Sequence, residues 1–261
     1  WNRTADKCAP LVAEGAAQAT TLAELASNSD VLILCLADTA AVQDVVLGAE
    51  GLLEELCAGQ VVIDCSSIEP EATRQLAARV REKDAHWLDV PVSGGVIGAE
   101  AGSLTLMAGG EADVLEQVKP VLLSMGQRLT HMGPVGSGQV TKVCNQMLVA
   151  YNAMVIAEVV ALAERAGVDA KLLAPALAGG FADSKPLQIV APLMAERTFE
   201  PVKWHVRTLL KDLDMAVKLS HEQGSATPMS GLAAQLMRTH ASTDGNADRD
   251  PSTLVKLYSG D

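Results

Sequence analysis

Lys142 stands four residues after Gly138 and three before Asn145, in the run Gly136-Ser-Gly-Gln-Val-Thr-Lys142-Val-Cys-Asn145-Gln146 that opens a long apolar helical stretch. The positive end of a helix dipole disfavours a nearby ammonium, so a lysine there is expected to be eased toward neutrality. Such an amine can give and take protons. Asn145 lies at i+3 from Lys142, which puts both on one helix face. Read alone, a lysine early in a helix is more often a solvated surface residue. The other segments shift that weighting.

A second segment, Asp89-Val-Pro-Val-Ser93-Gly94-Gly95, ends in a serine and two glycines. Such a turn exposes backbone N–H groups that can cradle a carboxylate, with the Ser93 hydroxyl as a further donor. An ordinary glycine-rich connection fits equally well, and Asp89 reads as structural. Leu36-Ala37-Asp38 and Ser66-Ser67-Ile68 each follow an apolar run, where small residues can approach a ribose or a nicotinamide. Ser66 or Ser67 can also cap the following helix. Asn2-Arg3-Thr4 precedes a helical segment. At the end of the second strand of a dinucleotide fold, an arginine accommodates the 2′-phosphate of NADP, where an acidic residue would select NAD. Arg3, flanked by Asn2 and Thr4, therefore favours NADP, with NAD the alternative. Lys211-Asp212-Leu-Asp214 lies on a later helix, and Lys211 alone reads as solvated. No His or Cys spacing matches a metal site.

These residues need elements to position them. Val31–Leu36, Val61–Cys65, His86–Val90, Ser103–Ala108 and, more weakly, Gln127–Met132 read as strands, the apolar runs as strands covered on both faces. Between them lie helical patterns: Thr21-Leu-Ala-Glu24 as a capping box, then Pro70 through Lys83 and Glu111 through Ser124. The alternation predicts a parallel sheet with right-handed crossovers. From Gln139 to about Gly167 there is only helical periodicity, with Gly167 as the expected C-cap. Further helices are expected near 170–178, 186–196, 206–221, 230–239 and 251–257. The predicted fold class is α/β: a Rossmann-type, doubly wound sheet domain over residues 1–135, followed by an all-α substrate and dimerisation domain over residues 136–261. A helix that long and apolar implies burial against a second copy, as a homodimer or homotetramer. The GxGxxG phosphate loop is absent. That loop belongs to the first strand–helix unit, so the sheet is expected to lack this unit, about thirty residues that would precede Trp1.

Composition narrows the partners. The formal net charge is -12, which argues against nucleic acid or an anionic membrane. No apolar run reads as membrane-spanning, and no signal peptide is visible. The five cysteines, Cys8, Cys35, Cys57, Cys65 and Cys144, are odd in number and lack a CxxC pair, which suits reduced thiols in the cytoplasm, with Cys35 and Cys65 in buried strands.

Taken in order, Asn-Arg-Thr at 2–4, Asp-Cys-Ser-Ser at 64–67, Asp-Val-Pro-Val-Ser-Gly-Gly at 89–95, Gly-Gln-Val-Thr-Lys-Val-Cys-Asn at 138–145 and Lys-Asp-Leu at 211–213 resemble the β-hydroxyacid dehydrogenase family across essentially the whole chain. That family includes 3-hydroxyisobutyrate dehydrogenase, tartronate semialdehyde reductase and related semialdehyde reductases. The resemblance implies an NADP(H)-dependent oxidoreductase interconverting a small β-hydroxy acid and its semialdehyde. It implies Lys142 as acid/base, Asn145 orienting substrate, Ser93, Gly94 and Gly95 on its carboxylate, and Lys211 near the nicotinamide. It also implies cofactor contacts from Asn2, Arg3, Thr4, Leu36, Ala37 and Ser67. One departure is visible: the family's paired asparagines after the lysine appear here as Asn145-Gln146. Rival expectations are an imine reductase, whose relatives generally carry a different residue at the lysine position, and a dehydrogenase-like domain without turnover. A 6-phosphogluconate dehydrogenase would need an Arg/Lys cluster for its phosphate, which the helical half does not offer.

Overall fold

The computed structural model describes residues 1–260. They form two compact units, Trp1–Lys142 and the chain from Val143 onward, with the division falling inside one long helix, Ser137–Arg165.

The first unit is built on six strands: β1 (Val31–Leu34), β2 (Val61–Asp64), β3 (His86–Asp89), β4 (Val92–Ser93), β5 (Leu104–Gly109) and β6 (Gly126–Gly133). β1, β2 and β3 are parallel and in register, with Val31 beside Val61 and Val61 beside His86. Side chains alternate across the pleat. Leu32, Val62 and Trp87 join one core with Leu76 and Val80 of helix Pro70–Arg81. Val61, Ile63 and Leu88 join another with Val114, Val118 and Leu122 of helix Ala112–Leu122. The buried Trp87 indole donates to Thr73 Oγ1 at 2.9 Å, so its one polar atom is satisfied. Thr21 caps its helix by accepting from the Glu24 N–H, but Glu24 turns to Thr20 instead of completing a capping box. Ile33 is 40% exposed while Val31 packs against the second core, so one face of β1 is only partly covered.

The sheet is mixed, which corrects the all-parallel expectation. β5 runs antiparallel to β3 and β4, and β6 pairs parallel with β5. The reason is connection length. Ten residues, 94–103, join β4 to β5, whereas a parallel crossover needs a dozen or more.

In the second unit, helices Lys185–Glu196, Val206–Glu222 and Pro228–Ala241 pack with the later part of the long helix. Ala150, Ala153, Ala157 and Val160 meet Leu187, Met194, Leu209, Leu213 and Met237 in one core. Small residues on the long helix let its neighbours approach closely. It ends in a full Schellman motif: the Val168 N–H bonds the Ala163 carbonyl, the Gly167 N–H bonds Glu164, and Gly167 adopts φ +82°.

Two other expectations change. The long helix is apolar and long enough to cross a membrane by length and composition, contrary to the sequence reading, although much of one side lies in the core just described. Of the cysteines, Cys8 and Cys65 are buried, whereas Cys35, Cys57 and Cys144 are exposed. Cys35 falls one residue beyond the end of β1, where the sheet no longer covers it.

Candidate active site

β3 ends at Asp89, whose side chain is wholly buried. Its Oδ1 accepts from the Gly136 N–H at 2.8 Å and its Oδ2 from the Gln139 N–H at 2.9 Å. The first N–H groups of a helix have no intrahelical partner. Asp89 satisfies such donors from another element and fixes where the lysine-bearing helix begins. Burial pushes the Asp89 carboxyl up in pKa, and the hydrogen bonds from Gly136 and Gln139 pull it back. The packing here requires glycine: a Cβ on Gly138 would sit 2.4 Å from the carbonyl oxygens of both Asp89 and Met107.

Gln139 extends the contact to the neighbouring loop. Its Nε2 donates to the Ser66 carbonyl at 2.9 Å, and its Oε1 accepts from the Ile68 N–H at 3.2 Å. Ser66 Oγ in turn accepts from the Leu36 N–H at 2.8 Å, and the Ser66 N–H donates to Asp64 Oδ1 at 2.9 Å. Asp64 is buried, and its Oδ2 has no hydrogen-bond partner among the described residues. Burial raises its pKa to about 6 against the pull of the Ser66 hydrogen bonds. One buried polar network therefore ties together the loops after β1, β2 and β3. In open α/β sheets ligands bind at that carboxyl edge.

The residues singled out by sequence differ in burial. Ser93 is half-buried and pairs with Thr105, while Gly94 and Gly95 are exposed. Gly94 at φ +142° and Gly95 at φ +64° occupy backbone conformations that side chains disfavour, so the turn needs both glycines. Lys142 is half-buried and is the sixth residue of its helix. It therefore lies past the first turn, where the dipole acts most strongly. Leu36 and Ser67 are half-buried and Ala37 is exposed. Asn2, Arg3 and Thr4 are exposed, with the Thr4 N–H donating to Asn2 Oδ1, and stand outside the network.

The second unit holds its own polar chain. Asn145 Nδ2 donates to Gln146 Oε1 at 2.9 Å, and Gln146 Nε2 donates to Asp212 Oδ2 at 2.5 Å. Lys211 Nζ lies 3.4 Å from Asp212 Oδ1. Sequence reasoning missed Gln139 and the bridging roles of Gln146 and Asp212. Asp212 carried a readable signal: it falls in the stripe of Val206, Leu209, Leu213 and Ala216, a carboxylate at a core position of an amphipathic helix.

Residues 1–133 match the model for the NAD binding domain of 6-phosphogluconate dehydrogenase, and residues 136–258 match the model described as NAD-binding of NADP-dependent 3-hydroxyisobutyrate dehydrogenase. The chain is 36% identical to an NAD-dependent L-serine dehydrogenase of Pseudomonas aeruginosa, over 95% of this chain and 85% of that protein. It is 35% identical to the 2-hydroxy-3-oxopropionate reductase of Escherichia coli, over 94% and 84%. Among solved structures, a 3-hydroxyisobutyrate dehydrogenase of Mycobacterium tuberculosis with L-serine superposes with a TM-score of 0.86 at 28% identity, over 97% of this chain and 87% of that one.

Proposed function

This chain belongs to the β-hydroxyacid dehydrogenase family of NAD(P)-dependent oxidoreductases, and we propose that it interconverts a small β-hydroxy acid and its semialdehyde with Lys142 as the acid/base. Tartronate semialdehyde and 3-hydroxyisobutyrate are the substrate types expected, and L-serine, which names a relative's activity, belongs beside them. The observation that carries the reading is the Asp89 bridge. It joins the strand leading into Ser93-Gly94-Gly95 to the first residues of the helix bearing Lys142.

A nicotinamide dinucleotide supplies or accepts the hydride when bound. The donor set fits it. Leu36 and Ala37 lie at the carboxyl end of β1, Ser67 follows β2, and the exposed Arg3 offers a guanidinium for a 2′-phosphate. Asn2 and Thr4 flank that arginine. These residues support NADP as the cofactor, with NAD the alternative.

The chain's own residues then divide the work. Ser93 and the N–H groups of Gly94 and Gly95 hold the substrate carboxylate, with glycine sparing the space a side chain would take. Lys142, as an ammonium, gives its proton to the oxygen of the forming alcohol and stabilises the charge developing there. In the oxidative direction, neutral Lys142 takes the hydroxyl proton. Asn145 orients the substrate. A second copy of the chain is proposed to cover Leu148, Val155, Val159 and Leu162, apolar residues 40–66% exposed along the long helix.

The test is turnover of a substrate panel with NADP and NAD, followed through the reduced-nicotinamide absorbance. Lys142→Ala should lower turnover by about 10²–10⁴-fold and leave cofactor affinity intact. Near-normal turnover in that variant would remove Lys142 from the chemistry.

A further inference from the structure

We propose that Gln146 is a positioning residue: pinned by the buried carboxylate of Asp212, it fixes the orientation of Asn145 and so determines which atom Asn145 offers to substrate. The proposal rests on the reading of Asn145 as a substrate-side residue.

The order of hydrogen bonds leaves little choice of orientation. Asp212 is 2% exposed, and as a carboxylate it can only accept. Gln146 must therefore turn its Nε2 toward Asp212 Oδ2, the contact made at 2.5 Å. A primary amide carries its oxygen opposite its nitrogen, so Gln146 Oε1 faces Asn145. An oxygen there demands a donor, and Asn145 answers with Nδ2 at 2.9 Å. Asn145 Oδ1 is thereby turned away from Gln146 and presented as an acceptor. Flipping the Asn145 amide would set two oxygens against each other. Flipping Gln146 would set its oxygen against the buried carboxylate. Each error leaves a desolvated acceptor without its donor, a cost of about 1–3 kcal/mol.

Lys211 Nζ lies 3.4 Å from Asp212 Oδ1, an ion-pair contact in which that oxygen accepts no hydrogen bond from the described residues. Asp212 thus sets, through Gln146 and one oxygen, the face of an amide, with a positive charge beside the other oxygen. The ligand group that meets Asn145 Oδ1 is a donor, as a hydroxyl or an ammonium is and a methyl is not.

The test has two arms on the whole chain. In the first, the side-chain amide resonances of Asn145 are followed by NMR in the wild type, Gln146→Leu and Asp212→Asn. The proposal expects the Asn145 pair to shift in both variants. An Asn145 signal unmoved by Gln146→Leu overturns it, whatever the enzyme's activity. In the second arm, L-serine and 3-hydroxyisobutyrate are each turned over with NADP and with NAD. Gln146→Leu should raise KM about tenfold, the equivalent of one hydrogen bond, while cofactor affinity holds. In an Asn145→Ala background the same substitution should cost nothing further. An equal cost in both backgrounds assigns Gln146 a merely structural role and overturns the proposal. If the wild type oxidises neither substrate, the functional reading fails while the amide arm still decides the positioning.

Discussion

Fifty residues of chain separate Asp89 from Gln139, and the Gln139 backbone N–H donates to Asp89 Oδ2 at 2.9 Å. The other oxygen takes the Gly136 N–H. A carboxylate accepts at both oxygens, whereas an amide accepts at one. Asp89→Asn therefore aims an N–H₂ group at a backbone donor in a site without water access. The variant should lose about 2 kcal/mol of stability, seen as a lower urea midpoint. Its kcat should fall as well, because the start of the Lys142 helix is released. An unchanged midpoint would mean that Asp89 does not anchor that helix.

Gly138 and Gly167 bracket the same helix and should fail differently. A Cβ at 138 overlaps two backbone carbonyls that cannot move independently. Gly138→Ala should cost roughly 3 kcal/mol or more, or prevent folding. At Gly167 a Cβ meets nothing within 4 Å, and only the positive φ opposes it. Gly167→Ala should cost about 1 kcal/mol. Equal losses in thermal unfolding would contradict the packing at 138.

Asp64 makes a pH prediction. Its folded pKa is raised to about 6 by burial, above its unfolded value of about 3.9. The folded state therefore favours the protonated acid. The stability this group contributes is fully present below about pH 4 and is lost as pH rises through about 6. Asp64→Asn keeps an oxygen for the Ser66 N–H and never ionises. Its stability relative to the wild type should therefore be greater at pH 7 than at pH 4, by on the order of 2–3 kcal/mol. That relative gain should fade as pH falls from 6 to 4. The difference in Tm across that range checks it, and a pH-independent difference would place the titration elsewhere.

Leu162 is 66% exposed on the long helix, in line with Val155 and Leu148 at seven-residue spacing. If a second copy covers this stripe, Leu162→Lys should shift the mass by light scattering toward the monomer and leave the fold intact by circular dichroism. A wild-type protein that is monomeric at micromolar concentration would dismiss the dimer.

The fold was largely legible because its signals are local. Apolar β-branched runs, Pro70 at a helix start and Gly167 at a helix end state their roles within a few residues. The same holds for the candidate chemistry: Lys142, Asn145 and Ser93-Gly94-Gly95 are short motifs whose residue types declare what they can do, and they pointed to the family from sequence alone. What no local pattern could give is the partner of each polar group. That Asp89 would hold Gly136 and Gln139, that Gln139 would reach Ser66 and Ile68, and that Gln146 would find Asp212 sixty-six residues on depends on which buried atoms the packed chain brings within hydrogen-bond distance. The antiparallel pairing of β5 with β4 likewise followed from a connection too short to cross over. Sequence fixes which atoms can donate or accept; only the folded chain, by excluding water around them, decides which of them must find each other.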